Sequence, residues 1–307
     1  MTLARQATTD ERKRIGIRDE RLEEAGAARV KKDKPEGGLP LDLATMSIAA
    51  LKELAKQPAA VNDEFLTALA QDRRKGAQNL LSTLNKEREA ESREMRRLER
   101  LFIYEENVWA NGYYPVAGVD EAGRGPLAGP VLAAAVILPR NCVLSGLNDS
   151  KKLTPQKRAQ LAGRIKETAL SWSVAQATVG EISHCNIFQA TLLAMRRAVE
   201  QLETQPAYVL VDGFRIDQLP IPQIPVVGGD RLSASIAAAS ILAKVERDAI
   251  MDDYHEMYPA YGFIRHKGYG TAEHLAALNR FGPCPIHRLD FTPVRLAFYN
   301  RHNNYSE

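Results

Sequence analysis

The chain of 307 residues carries 41 Lys and Arg against 38 Asp and Glu, a formal net charge of +3, and 45% hydrophobic residues. Such a chain forms one or two globular domains with a real core, and so mild a charge does not by itself name a nucleic-acid partner. Three widely spaced cysteines, Cys142, Cys185 and Cys284, argue against a disulfide framework, no apolar leader follows the basic N-terminus, and no stretch reaches the about 18 apolar residues of a membrane span; a cytoplasmic protein is expected.

Residues 1–42 mix Arg, Lys, Glu and Asp, include KKDKPEGG at 31–38 and offer no face to bury, which predicts a disordered or loosely ordered charged tail. Residues 43–110 read as a small all-helical domain. Ser47 can cap SIAALKELAKQ, where Ile48, Leu51 and Leu54 share a face, and DEFLTALAQ at 63–71 repeats that style. A long helix is expected from Ala77 to Leu101, with Leu80, Leu81 and Leu84 leading into a charged half. Its Arg93, Arg96, Arg97 and Arg100 could touch phosphates, but the interleaved Glu91, Glu94 and Glu99 favour a salt-bridged, solvated face.

Residues 111–307 change to α/β texture. Strands are expected at 116–120, 131–138, 172–179, 208–212 and 224–227, and helices at 155–169, 187–202, 233–258 and 272–280. The first three strands follow one another as an antiparallel meander would, whereas the last two arrive over longer connections, as parallel addition requires; the result is a mixed sheet. The run SASIAAASILAK at 233–244 is nearly all small, which lets a helix press on a sheet, and Ser233 and Ser235 at its start leave main-chain donors for a phosphate.

Four carboxylates follow apolar runs and precede or adjoin glycine: Asp120 and Glu121 in VAGVDEAGRGPLAGP, Asp212 in YVLVD and Asp230 in VVGGD. Any one alone suits a turn or a cap, but as a set at strand tips, where parallel strands of an open sheet meet at a crevice, they point to one site. Converging carboxylates repel and call for a counterion. Oxygen ligands alone suit Mg2+ or Mn2+, whose chemistry is that of in-line phosphodiester hydrolysis. Zinc is disfavoured, because Cys284, His287, His266 and His274 lack paired ligand spacing, and the histidines read as structural.

Five motifs then carry a resemblance: GVDEAGRGPLAGPV at 118–131, NDSKKLT at 148–154, VLVDG at 209–213, GGDRLSASIAAASILAKVERD at 228–248, and YGFIRHKGYGT with GPCPIHR within 261–288. In order and spacing they are similar to ribonuclease HII over about residues 116–295. The resemblance implies an α/β fold of the ribonuclease H type, a five-stranded mixed sheet flanked by helices. It implies an endoribonuclease that cuts RNA in RNA–DNA hybrids and 5′ of a single ribonucleotide in duplex DNA, leaving a 3′-hydroxyl and a 5′-phosphate. Asp120, Glu121, Asp212 and Asp230 would be both catalytic acids and ligands of Mn2+ or Mg2+.

On the same resemblance, Gly123, Arg124 and Gly125 would meet the ribose 2′-hydroxyl, glycine being needed where main chain approaches a sugar closely. Tyr269 would pack against the neighbouring sugar, and Lys151 and Lys152 would touch phosphates without reading sequence. Asp248 reads as structural. A monomer is expected, with RNA–DNA hybrid and ribonucleotide-containing duplex DNA as partners and no membrane; a contact with a replication clamp stays open. Asp290 in HRLDF stands where family members commonly carry a hydroxyl, and the N-terminal hundred residues fall outside the catalytic match. Two other readings stand beside this one: a nuclease or strand-transfer enzyme of the same fold acting on DNA, and a nucleic-acid binding module whose N-terminal helices do the work.

Overall fold

The computed structural model describes residue 43 and residues 45–303. The tail expected over residues 1–42 lies outside the described residues. Among those described, the chain divides between Arg97 and Leu98.

The first unit is helical. Ser47 Oγ accepts the Ala50 N–H at 3.2 Å to open α1 (Ile48–Ala55), and Asn62 Oδ1 accepts the Phe65 N–H at 2.8 Å to open α2 (Asp63–Gln71). These caps satisfy donors that a helix start leaves unpaired. Leu51, Phe65, Leu69 and Ala77 form its core, with Leu80, Leu81 and Leu84 of α3 (Lys75–Leu101) packed against them. Farther along α3, Arg93 pairs with Glu89 at 3.5 Å and Arg97 with Glu94 at 2.8 Å, the salt-bridged face its charge pattern suggested.

The second unit takes in the last residues of α3, continues with α4 (Ile103–Ala110) and holds one five-stranded sheet. Its strands are β1 (Val116–Ala122), β2 (Val131–Ile137), β3 (Ser171–Ala177), β4 (Tyr208–Asp212) and β5 (Gln223–Val226), in the order β3-β2-β1-β4-β5. The first three pair antiparallel, while β1–β4 and β4–β5 are parallel. Between strands run α5 (Pro155–Thr168) and α6 (Val179–Glu200); after β5 come α7 (Ala234–Met257), the single turn α8 (Phe263–His266), α9 (Ala272–Phe281) and α10 (Thr292–Asn303).

Strand β2, VLAAAVI, is buried along its whole length because helices cover both faces. Ala117, Val119, Val131, Ala133, Val209 and Val211 pack with Ala190, Ala194 and Ala198 of α6. On the other face Ala134 and Val136 meet the alanines of α7 together with Leu161 and Ile165 of α5. The approach of α7 is close: a Cβ on Gly118 would lie 2.1 Å from the Ser235 carbonyl carbon, so a small residue in β1 is a condition of the layer.

Local structure departs from the sequence expectations in three places. Strand β3 ends at Ala177, not at 179, because Thr178 and Glu181 form a reciprocal capping box that starts α6 at Val179. At Asn186 (φ 67°) α6 kinks, and the Asn186 carboxamide oxygen accepts the N–H groups of Phe188 and Gln189; this second start is the one the apolar spacing revealed. Helices α4, α8 and α10 were not anticipated.

Candidate active site

The parallel register that pairs Val119 with Val211 sets Asp120 beside Asp212 at the centre of the sheet. Glu121 follows in β1, and Asp120, Glu121 and Asp212 each offer an oxygen within 4.8 Å of the others. Asp120 does not stand at an exposed strand tip as expected. Strand β1 runs on to Ala122, and Asp120 is enclosed under α7, only 5% exposed. The Asp120 carboxylate accepts the Glu121 N–H at 2.7 Å and the hydroxyl of Ser240 from α7, while Asp212 Oδ1 accepts the Gly229 N–H at 2.7 Å.

Burial, then the charges of Glu121 and Asp212, hold the Asp120 carboxyl well above its ordinary range. Burial also raises Asp212; the Gly229 N–H opposes this, Glu121 adds to it, and the cationic Lys151 and Arg124 lower it. Arg124 Nη1 reaches Glu121 Oε1 at 3.3 Å. One contacting arginine does not balance three converging carboxylates, and an all-oxygen set with this deficit fits a hard divalent cation such as Mg2+ or Mn2+.

Asp230 is not one of the three that meet within 4.8 Å, but it lies near enough for the charge of Asp212 to act on it. It is buried in the 3-10 turn Gly229–Arg231, with Arg231 Nε at 3.7 Å, and its carboxyl is raised by burial, then by the charges of Asp149 and Asp212. Lys151 is exposed in the turn Ser150–Lys152, where its N–H donates to Asp149 Oδ1 at 2.9 Å; its charge lowers both Asp212 and Asp230. Lys152 beside it is exposed.

The turn 123–125 follows β1 directly. Gly123 has φ +98°, and a Cβ there would sit 2.1 Å from Arg247 Nε, so packing beneath the turn by itself requires glycine. Gly125 is exposed, and a Cβ there would meet only the Tyr269 ring, at 3.7 Å. Tyr269 is 44% exposed, with Lys244 Nζ 6.0 Å from its ring centroid; Arg124 lies 5.7 Å from the ring centroid of the exposed Phe214.

Behind Tyr269 the histidines are occupied by one another. The Cys284 N–H donates to His287 Nδ1 at 3.0 Å, which leaves His287 Nε2–H to donate to His274 Nε2 at 3.0 Å and His274 Nδ1–H to donate to the Tyr269 carbonyl at 2.9 Å. His266 stacks on His274 and accepts the Gly268 N–H. Burial lowers all three histidines, His287 to about 4, and lifts the Cys284 thiol to about 11. Among the described residues, the group able to hold a metal ion is the three carboxylates.

The start of α7 is likewise occupied. Glu105 of α4 accepts hydrogen bonds from Ser233 Oγ (2.6 Å), Ser235 N (2.8 Å) and Ser235 Oγ (2.5 Å), all buried, so the donors expected to await a phosphate are taken by a side chain. Asp248 pairs with Lys244 at 2.6 Å and Arg158 at 3.8 Å, away from the three carboxylates. Sequence reasoning did not single out Glu105, Ser240, Asp149, Phe214 or the part played by Arg288. Only GPCPIHR, which ends on Arg288, carried that residue inside a motif.

Residues 117–294 match the family model described as Ribonuclease HII, and residues 47–109 match the Ribonuclease HII N-terminal domain. Ribonuclease HII of Pelotomaculum thermopropionicum is 57% identical over 252 residues, covering 81% of this chain and 95% of that protein. Ribonuclease HII of Desulfitobacterium hafniense (strain DSM 10664 / DCB-2) is 53% identical over 254 residues, covering 82% and 96%. Among solved structures, the ribonuclease H2 from Pyrococcus horikoshii OT3 superposes with a TM-score of 0.55 at 25% identity, over 62% of this chain and 99% of that one.

Proposed function

The chain belongs to the ribonuclease HII family, and from that premise we propose that it is a metal-dependent endoribonuclease that cuts RNA in RNA–DNA hybrids and 5′ of single ribonucleotides in duplex DNA. The observation that carries the reading is the contiguity of three unbalanced carboxylates with a turn whose exposed glycine faces an exposed tyrosine. Asp120, Glu121 and Asp212 would hold Mg2+ or Mn2+, with Asp230 as the fourth acid. A divalent cation bound there supplies a more acidic water and neutralises charge developing on the phosphodiester.

The chain's own part is preorganisation. The Glu121 N–H and the Ser240 hydroxyl fix Asp120, and the Gly229 N–H fixes Asp212, so the oxygens are aimed before any substrate arrives. Gly123, Arg124 and Gly125 present main chain to the ribose 2′-hydroxyl, and Tyr269 packs its exposed ring on the adjoining sugar. Lys151 and Lys152 contact phosphates and leave the base sequence unread. Residues 111–307 do this chemistry, and the helical residues 43–110 add grip on the duplex. The products are a 3′-hydroxyl and a 5′-phosphate.

The test is a duplex holding one ribonucleotide, incubated with Mg2+ or Mn2+ and mapped to the nucleotide. Cleavage 5′ of the ribonucleotide with those ends is expected. A cut on its 3′ side, or equally fast cutting of the all-DNA duplex, overturns the proposal.

A further inference from the structure

Arg247 and Arg288 are both fully buried, 0% exposed, beneath the loop that carries the turn 123–125. Their hydrogen bonds all run to main-chain carbonyls. Arg247 donates to Pro130 O at 3.2 Å, Lys267 O at 3.0 Å and Ala128 O at 3.1 Å. Arg288 donates from Nε to Gly129 O at 2.9 Å, from Nη1 to Arg124 O at 3.0 Å and Pro126 O at 2.8 Å, and from Nη2 to Gly123 O at 2.6 Å and Pro130 O at 3.2 Å. Enclosing a cation costs several kcal/mol unless hydrogen bonds replace its water. For Arg288 that solvation is exchanged for control of the single loop 123–130, while Arg247 also holds Lys267 of the tyrosine loop.

A trans peptide sets its C=O antiparallel to the N–H of the following residue. Each carbonyl drawn inward by Arg288 therefore sends the next N–H the opposite way. After Pro126, that N–H belongs to Leu127 and goes to Gly268 O at 2.8 Å; after Gly129 comes Pro130, which has none; after Pro130, Val131 enters β2. Two remain, the N–H groups of Arg124 and Gly125, with no acceptor among the described residues. They emerge where the Arg124 side chain reaches Glu121 on one flank and Tyr269 lies over Gly125 on the other.

We propose that Arg288 is the positioning residue of this turn: by fixing the carbonyls of Gly123 and Arg124 it presents the N–H groups of Arg124 and Gly125 as a preformed pair of donors for the substrate's 2′-oxygen. The proposal rests on the reading that this turn meets the ribose. Donors held in place before binding need no reorganisation at the moment of reaction, and only a planar fork of five N–H groups can gather this many carbonyls.

Arg288→Lys keeps the charge and loses the fork. In the full chain, with unchanged circular dichroism and Mn2+ affinity, we expect its kcat on a single-ribonucleotide duplex to fall about 100-fold while KM moves less than about threefold. Its preference for that duplex over all-DNA duplex falls by the same factor. A folded variant with wild-type kcat and preference, or one whose loss lies in KM alone, overturns the proposal.

Should the variant fail to fold, amide exchange in the unmodified protein decides. The Arg124 and Gly125 amides should exchange fast when free and about tenfold slower with the single-ribonucleotide duplex under metal chelation, but not with all-DNA duplex. Protection in the free protein, or equal slowing by both duplexes, rejects it. An unmodified protein that cuts both duplexes equally fast rejects the parent reading of the turn, however Arg288→Lys behaves.

Discussion

The carboxylates of Asp120, Glu121 and Asp212 and the imidazoles of His266, His274 and His287 are both clusters of enclosed titratable groups, and they flank the same turn. The chain treats them oppositely. Among the histidines burial disfavours the charged form of every ring; His287 and His274 are linked donor to acceptor from the Cys284 N–H to the Tyr269 carbonyl, and His266 has its own main-chain partners in Gly268 and Tyr261. The carboxylates are pressed together with too little positive charge, and burial with mutual repulsion raises Asp120 and Asp212. A satisfied cluster is scaffold, here for the tyrosine loop; an unsatisfied one holds energy that only a ligand can release.

The sharpest way to break this contrast is to neutralise one acid. Asp120→Asn or Asp212→Asn should lower cleavage more than about 1,000-fold while leaving hybrid binding intact, and, with metal chelated, should raise folding stability by about 1 kcal/mol because one repulsive charge is gone. Single-turnover assays and urea denaturation read the two effects. Full activity of either variant would remove these acids from the chemistry.

The histidines predict a pH effect of known sign. His287 is lowered from 6.5 to about 4, so its contribution is fully present above about pH 6.5 and is lost as pH falls toward 4, about 3 kcal/mol in all. Urea titrations at pH 7 and 4.5, in the Asp120→Asn background to quieten the acids, should show that fall. Constant stability across the window would mean that His287 takes up its proton alike in the folded and unfolded chain, so that burial does not lower it.

A slightly smaller shift should come from metal alone. At a Mn2+ concentration 100 times its Kd, the unmodified protein should gain about 2.7 kcal/mol and Asp120→Asn much less, read as Tm. Equal gains would place the ion elsewhere. Smallest is Lys151→Ala, expected to raise KM for duplex about fivefold, at the low end for a single phosphate contact, and to flatten its salt dependence, with kcat nearly unchanged.

Much of the fold was legible because periodicity is local. Five strands, the mixed sheet and the long helix near 233–258 followed from apolar runs and the length of their connections, and the residues matched to the family span both units. Helix α4 escaped because IYEENVWA shows no apolar stripe, and α6 was read only from its kink onward because Thr178 and Val179 looked like the end of a strand. For the site, all four acids were singled out from their glycine neighbours, and the structure gathers three of them.

What the sequence determined by itself was which residue types lie beside which: acids after apolar runs, glycine on both sides of Arg124, small residues along α7. What only the tertiary structure decided was direction and partnership. It enclosed Asp120 under Ser240, gave the start of α7 to Glu105 instead of a phosphate, and placed Arg247 where Gly123 could tolerate no Cβ. It also brought Arg288 under the carbonyls of a turn far earlier in the chain. The reason is physical: periodicity reports burial within one element, whereas a hydrogen bond depends on atoms from distant elements meeting within about 3 Å, and no local pattern encodes that meeting.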